Sequence, residues 1–275
     1  MTHPTFARSQ SLAHARLAAH YAAQIPASFA YTWLEHDASF TFASLGWSDG
    51  ALVSREAYGL RVALHVADFA WTLSRGDSVL SRMDVRGCTL EQAHAWLRAA
   101  AVAAGAPDRE LVHPEWDLPE SPISSGAAWD AEPGDLAQVA AWFALASGSV
   151  APYAARPDAS ELRVWPHHFD IATLLTLDAV GDSEAARSVG IGMTPGDGGI
   201  PEPYFYVTPW PYPTDRTGPS LPGGGTWNTE GWFGAVLTGT ALAGQPAATQ
   251  TLVAFLHQAV QASLRSLTPT DRSES

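Results

Sequence analysis

The chain has 275 residues and a formal net charge of −13 at pH 7, and hydrophobic residues make up 46% of it. All 15 basic residues are arginine, so the sequence lacks the lysine that pyridoxal phosphate and P-loop nucleotide sites require. The acidic balance argues against nucleic acid and against anionic membranes as partners. The one cysteine, Cys88, excludes a disulfide framework and a cysteine-based zinc site.

The sequence contains no uninterrupted apolar stretch of about 20 residues, the length that a membrane-spanning helix needs. Residues 1–30 also lack the continuous apolar core of a secretory signal. We therefore expect a soluble, cytoplasmic protein. The heavy use of Ala and Arg, with no Lys, indicates a GC-rich bacterial source.

The N-terminal part of the chain shows a helical pattern that is followed by an alternating pattern typical of strands. Apolar residues at helical spacing predict a helix over residues 6–24, and Pro26 should end it. Aromatic residues alternate from Phe29 to Phe42, which predicts a strand hairpin that turns at residues 36–39.

The middle of the first half predicts strands and then a helix. Alternating residues indicate a strand pair at about 60–75 and a further strand near 79–85. Thr89 and Gln92 have the spacing of a capping box, in which each side chain bonds the other residue's backbone amide. A helix should therefore begin there and end at Gly105.

The second half repeats this order of elements. Asp135 should cap a helix that Gly148 closes, and a closing helix is expected at about 246–266. Between these helices we expect strands at 161–177, Arg187–Met193, Tyr204–Thr208 and Trp232–Thr238.

This repeated order predicts an α+β fold of two similar halves, each an antiparallel sheet with flanking helices, forming one body. We expect one domain over residues 1–267, with halves 1–133 and 134–267, and a disordered tail at 268–275. A short internal echo supports the division, because residues 60–68 and 162–170 share the pattern Leu-Arg-Val-x-x-His-x-x-Asp.

The segment from Trp165 to Asp170 has the highest density of chemically active side chains. In a continuous strand, His168 and Asp170 would share one face about 7 Å apart. That spacing suits two metal ligands, or a histidine that a carboxylate orients for proton transfer. A structural pair bonded to nearby backbone is the alternative reading.

A glycine-rich loop and an aromatic strand follow. The loop 192–199 lacks both the P-loop ending and the dinucleotide G-x-G-x-x-G pattern, so a hairpin connection is favoured over an anion site. Asp197 and Glu202 would complete a His/carboxylate cluster if the fold brings them to His168 and Asp170. The segment 201–210 is aromatic on both faces of a strand, which indicates burial or a stacking wall for a ligand.

Two of these segments resemble a bacterial family known as domain of unknown function five-nine-nine-six. The similarity lies in Trp165–Ala172, with Trp165, Phe169 and Asp170 in the matching positions, and in Gly192–Trp210, which contains Glu-Pro-Tyr-Phe-Tyr-Val. The resemblance implies the same order of elements and supports Asp170 and Glu202 as site residues. The family carries small or polar residues at positions 167 and 168, and it brings no assigned activity.

The leading functional hypothesis is a protein that binds a small polar or aromatic ligand in an aromatic and carboxylate-lined cleft of the second half. The expected ligand-binding residues are Trp165, His167, His168, Asp170, Asp197, Glu202, Tyr204, Tyr206 and Trp210. The first alternative is a metal-dependent hydrolase, with catalytic candidates His168, Asp170 and Glu202 and metal candidates His168, Asp170, Asp197 and Glu202. The second alternative is a non-catalytic interaction module, for instance a homodimer. The sequence identifies no cofactor.

Overall fold

The structure is a computed structural model that describes residues 9–178 and 186–268. The helices of this part are α1 (Ser9–Ala22), α2 (Gln24–Trp33), α3 (Leu90–Ala103), α4 (Pro133–Ala154), α5 (Gly239–Ala243) and α6 (Ala248–Leu267). The strands are β1 (Gly46–Ser48), β2 (Ala51–Val53), β3 (Arg61–His65), β4 (Ala70–Arg75), β5 (Ser78–Asp84), β6 (Arg163–Trp165), β7 (Asp170–Thr176), β8 (Ser188–Thr194), β9 (Tyr204–Trp210), β10 (Thr226–Asn228) and β11 (Gly234–Thr238).

These strands form two antiparallel sheets. The first has five strands in the order β1-β2-β3-β4-β5, a plain meander. The second has six strands in the order β10-β11-β9-β8-β7-β6. Helices flank both sheets, so the predicted α+β class with an antiparallel sheet in each half is confirmed.

The chain divides into two compact units. Unit 1 comprises the chain up to Leu145 together with Arg163–Asp170, and unit 2 comprises Ala146–Leu162 and the chain from Ile171. Unit 1 is therefore discontinuous in sequence, unlike the single cut between residues 133 and 134 that the sequence suggested. Its second piece is anchored by a backbone bridge in which Leu45 and Val164 exchange N–H···O bonds of 2.9 and 2.8 Å.

The core of unit 1 lies where the first two helices meet the first sheet. Trp71 and Trp129 are fully buried, and their indole N–H groups donate to helix carbonyls, at 2.9 Å to Ala22 and 3.1 Å to Ala18. A buried indole needs such a partner, because an orphaned N–H costs about 1–3 kcal/mol. These two bonds therefore tie α1 to β4 and to the loop that carries Trp129.

The core of unit 2 lies under its last helix. The helix α6 packs on β8, β9 and β11, and its residues Leu252, Phe255 and Leu256 are fully buried. Their spacing of three and four residues places them on one face of the helix. The predicted closing helix is confirmed.

The prediction for residues 24–42 is wrong. Residues 24–33 form the helix α2, and Phe42 lies in a single 3₁₀ turn instead of a strand. Ile25, Phe29 and Trp33 are four residues apart and all buried, so the aromatic spacing fits a helix as well as it fits a strand. Pro26 does not end the helix, because in its first turn no backbone N–H is needed.

The prediction of one long strand at 161–177 is also wrong. Residues 166–169 form a turn between β6 and β7. Pro166 has no N–H for a strand ladder, and Phe169 adopts a left-handed φ of 57°. His168 and Asp170 therefore do not share a strand face, which was the geometry from which their pairing was inferred.

The predicted limits of α4 are wrong: Asp135 lies in its first turn and Gly148 lies inside it, because the helix runs from Pro133 to Ala154 and tolerates an interior glycine at a cost of about 1 kcal/mol. The other predicted elements correspond to observed ones. The strands β3, β4 and β5 and the helix α3 form where expected, with the capping box of Thr89 and Gln92 in place. The predicted tail beyond residue 268 lies outside the described residues. Within the described ranges, no helix is both long and apolar enough to cross a membrane.

Candidate functional site

The two predicted carboxylates of unit 2 hold that unit's own backbone. Asp197 accepts from the amides of Gly199 and Ile200 at 2.7 and 2.8 Å, and from the hydroxyl of Tyr204 at 2.5 Å. Glu202 accepts from the amide of Thr240 at 2.6 Å, at the start of the short helix α5. The structure thus brings Asp197 and Tyr204 together: the Asp197 carboxylate binds the backbone of its own loop and the hydroxyl of Tyr204, the first residue of β9.

The predicted aromatic site residues lie on two strands, Tyr204, Tyr206 and Trp210 on β9 and Trp165 on β6. The rings of Tyr204 and Tyr206 lie 6.3 Å apart. Trp210 is 45% exposed, and its ring meets that of Tyr212 edge-on at 5.2 Å. Trp165 lies in unit 1, with its ring 6.1 Å from that of His167.

The four predicted metal ligands are not assembled into a coordination site. His168 is exposed in the turn 166–169, and Asp170 is buried at the start of β7. Within residues 9–178 and 186–268, no three His, Cys, Asp or Glu side chains form a group that could hold a metal ion. A metal role for these residues stays a prediction.

A cavity of about 600 Å³ lies in unit 1 and is surrounded by aromatic and imidazole rings. We call it the ring cavity; its lining residues are Tyr31, His36, Phe40, Val112, His113, Glu115, Trp116 and His167. Among the predicted ligand-binding residues, His167 lines it. The others come from the end of α2, from the loop after it and from the segment 112–116.

The rings of this cavity contact one another in a continuous series. The Tyr31 ring lies 5.5 Å from that of Trp116, nearly perpendicular at 87°. It lies 5.1 Å from the His36 ring, and the Trp116 ring in turn lies 5.3 Å from that of His167. Edge-to-face pairs of this kind have favourable ring electrostatics, so the wall is held by its own contacts.

A hydrogen-bond network positions two of the lining residues. Gln24 accepts from the indole N–H of Trp116 at 2.8 Å, and its amide donates to the carbonyl of Pro166 at 2.9 Å. His20 Nε2 lies 2.7 Å from the same carbonyl, which requires its proton on Nε2. Trp116 and the residue after Pro166, His167, are thus tied to the first two helices through buried polar groups.

Burial favours the neutral form of two histidines that line the ring cavity, His113 and His167. It lowers the pKa of His167 to about 4, assisted by the neighbouring His168. It also lowers the pKa of His113, whose ring stacks at 4.1 Å on His94. Burial raises the pKa of the Tyr31 hydroxyl. At neutral pH these groups carry no charge and can donate or accept hydrogen bonds.

A second cavity of about 550 Å³ is lined by residues of the loop that follows α2, together with Arg55 and Glu56. Its lining residues are Leu34, Glu35, Asp37, Thr41, Phe42, Arg55 and Glu56. Arg55 Nε donates to the carbonyl of Thr41 at 2.9 Å, and Glu56 pairs with Arg61 at 3.3 Å. The loop is further fixed by Asp37, which accepts from the amide of Ser39 at 2.8 Å.

Most ring-cavity residues were missed by sequence reasoning. Tyr31 and Phe40 fall within the predicted hairpin, and the segment 112–116 contains none of the predicted site residues. A usable signal was present, since both segments combine histidine with aromatic residues. Their meeting depends on loop paths that no short-range pattern specifies.

Comparisons with known proteins identify no relative of this chain. No family model matches the chain, and no curated protein or solved structure matches it significantly. The resemblance to the domain family of unknown function therefore stays an expectation, and the functional argument rests on the cavity.

Proposed function

We propose that this protein binds a small organic molecule with an apolar or aromatic body in the ring cavity. The observation that carries the proposal is a cavity of about 600 Å³ walled by Tyr31, Phe40, Trp116 and imidazole rings. Small-molecule sites are typically concave, mostly apolar and about 300–1,000 Å³ in volume, with few polar groups. Flat rings on several sides favour a ligand that can stack.

The polar groups that line the cavity are available to a ligand. In the described part of the chain, the Tyr31 hydroxyl, the imidazoles of His113 and His167 and the Glu115 carboxylate have no hydrogen-bond partner. Such groups give a bound molecule its orientation, whereas the rings supply most of the buried contact.

This proposal keeps the small-ligand hypothesis and moves its site from the second half to unit 1. The move follows from Asp197 and Glu202, which are engaged in holding loops of unit 2. The metal-dependent hydrolase and the homodimer stay predictions.

The proposal is tested by calorimetric titration with 4-tert-butylphenol and with (4-hydroxyphenyl)trimethylammonium, which share one shape. We expect saturable binding of at least one probe with a Kd of about 1 mM or tighter. Trp116→Ala should weaken this binding at least about tenfold, because it removes a wall of the cavity.

Trp116 also donates a hydrogen bond to Gln24, so Trp116→Ala removes a structural contact together with the cavity wall. A second variant therefore tests the cavity without removing that bond. Phe40 is 52% exposed with a φ of 55°, and Phe40→Gly removes its ring at a backbone conformation that suits glycine. The matched control is Trp210→Ala, which deletes an exposed tryptophan of unit 2 and should leave binding unchanged. Absence of saturable binding by both probes, or wild-type binding in both cavity variants, would overturn the proposal.

A further inference from the structure

We propose that the ligand of the ring cavity is an organic cation, such as a quaternary ammonium or an arylalkylamine that is protonated at pH 7. The proposal rests on the proposed function and adds the charge of the ligand. It stands on two features of the lining, which are aromatic rings set at steep angles to one another and one carboxylate without a protein cation.

The first feature is the arrangement of ring faces. Tyr31 and Trp116 lie 5.5 Å apart at 87°, so the two rings form adjoining walls. Phe40 also lines the cavity, and its side chain is 52% exposed. The face of an aromatic ring carries partial negative charge, and a cation within about 6 Å of the ring centre is attracted to it. Several rings around one volume are the arrangement that recognises alkylammonium groups.

The second feature is Glu115. It lines the cavity, and among residues 9–178 and 186–268 no arginine or histidine forms an ion pair with its carboxylate. A bound cation would supply that missing partner. Glu115 itself is exposed, so it attracts a cation as a solvated carboxylate and adds to the attraction of the ring faces.

Two of the lining histidines do not offset this negative charge. His113 and His167 are neutral at pH 7, because burial disfavours their charged forms. The described lining contains no arginine. The second cavity, which the loop after α2 also lines, contains three carboxylates and one guanidinium, that of Arg55. A carboxylate or phosphate ligand would therefore lose part of its hydration and meet no arginine in the described lining of the ring cavity.

A matched pair of probes tests the charge alone. (4-Hydroxyphenyl)trimethylammonium and 4-tert-butylphenol have the same shape and differ in a quaternary nitrogen that replaces a carbon. We expect the cation to bind at least about tenfold tighter at about 0.15 M salt, where attraction by distant surface charges is largely screened.

The contribution of Glu115 is isolated by Glu115→Gln, which keeps the side-chain shape and removes the charge. The ratio of the two dissociation constants should fall to about threefold or less, with the neutral probe's Kd unchanged. Glu120→Gln is the matched control, because it removes an exposed carboxylate of the same segment that does not line the cavity. It should preserve the ratio.

The outcomes separate this inference from the proposed function. If both probes bind with equal affinity, the charge preference is wrong and the small-molecule function stands. If neither binds, the function falls and the inference falls with it. If the ratio survives Glu115→Gln, or falls equally in Glu120→Gln, the preference does not come from the cavity carboxylate and the inference is overturned.

Discussion

Three histidines of unit 1 are held uncharged by their surroundings. The pKa of His20, His94 and His167 is lowered in each case to about 4, with burial as the largest cause. His20 is the most enclosed, at 5% exposure, with its ring stacked on Phe169 at 4.9 Å. Its Nε2–H donates to the Pro166 carbonyl in either protonation state, which ties the buried ring to the turn that carries His167.

Acid should destabilise the protein through His20. Between pH 6.5 and about 4 the unfolded chain binds a proton at this residue that the folded chain does not bind. Stability should therefore fall as pH falls through that window, by up to about 1.4 kcal/mol per pH unit for one histidine. Urea unfolding at several pH values from about 7 down to about 5.5 measures the slope, since ordinary carboxylates, with pKa values of about 4, stay ionised there.

A pair of variants assigns that slope to its source. His20→Gln keeps a donor for the Pro166 carbonyl and cannot titrate, so its stability should depend less steeply on pH. His257→Gln changes an exposed histidine of α6 and should keep the wild-type slope. Equal slopes in His20→Gln and the wild type would show that His20 does not carry the effect.

At the residue level, the sequence predicted one member of the ring cavity. His167 stood out because three ring-bearing side chains crowd around it in sequence, at positions 165, 168 and 169. Tyr31 and Trp116 could not be linked by any spacing rule, because 85 positions separate them and an irregular loop carries one of them. Sequence patterns report the face of an element, whereas this site is built from its connections.

At the scale of elements, two hairpins share an unusual turn. β3 and β4 are joined by residues 66–69, and β6 and β7 by residues 166–169. Each turn ends in a buried phenylalanine with a left-handed backbone, Phe69 at φ 53° and Phe169 at φ 57°. The sequence echo pairs residues 102 apart, whereas these turns correspond at a separation of 100 residues. The echo therefore located the right hairpins with a register error of two.

The helix α3 offers a clean test of a predicted local signal. The Thr89 hydroxyl accepts from the Gln92 amide at 3.3 Å, and the Gln92 side chain accepts from the Thr89 amide at 2.9 Å. Thr89→Ala removes one of these bonds and should lower the free energy of unfolding by about 1 kcal/mol. Urea denaturation measures it.

Thr89→Ser serves as the control, since it keeps the hydroxyl oxygen and should stay within about 0.5 kcal/mol of the wild type. A Thr89→Ala variant as stable as Thr89→Ser would contradict a stabilising cap.

Predicted elements succeeded where one periodicity dominated and failed where two fitted equally well. The capped helix α3 and the alternating strand β3 each match one pattern. In α2, the aromatic residues satisfy both the helical and the strand spacing. Nearly every residue of α2 is buried, so tertiary packing and not the local pattern determines that this segment is a helix.

At the scale of the whole molecule, unit 1 is completed by a distant piece of chain. Arg163–Asp170 supplies Val164 to the bridge with Leu45, Pro166 to the network of His20 and Gln24, and Phe169 to the core. Phe169 is 1% exposed and lies 5.2 Å from Phe143, ring to ring. Removal of a buried phenylalanine side chain alone typically costs about 3–5 kcal/mol.

A fragment of residues 1–145 should therefore fail to fold cooperatively, because it lacks this piece. A fragment of residues 1–170 contains every part of unit 1 and should show a sharper urea transition and better-dispersed amide NMR signals. The two fragments differ only by residues 146–170, which include Arg163–Asp170. A cooperative transition of equal midpoint in both fragments would show that Arg163–Asp170 is dispensable.

The discontinuity of unit 1 also sets an order of events during protein synthesis. When Leu145 leaves the ribosome, the faces of His20 and Phe143 that later contact Phe169 are still open. About 25 more residues must be translated before Asp170 appears, which takes about 1–5 s at about 5–20 residues per second. Throughout that interval the nascent chain presents an uncovered apolar surface, and the ring cavity lacks its His167 wall until the interval ends.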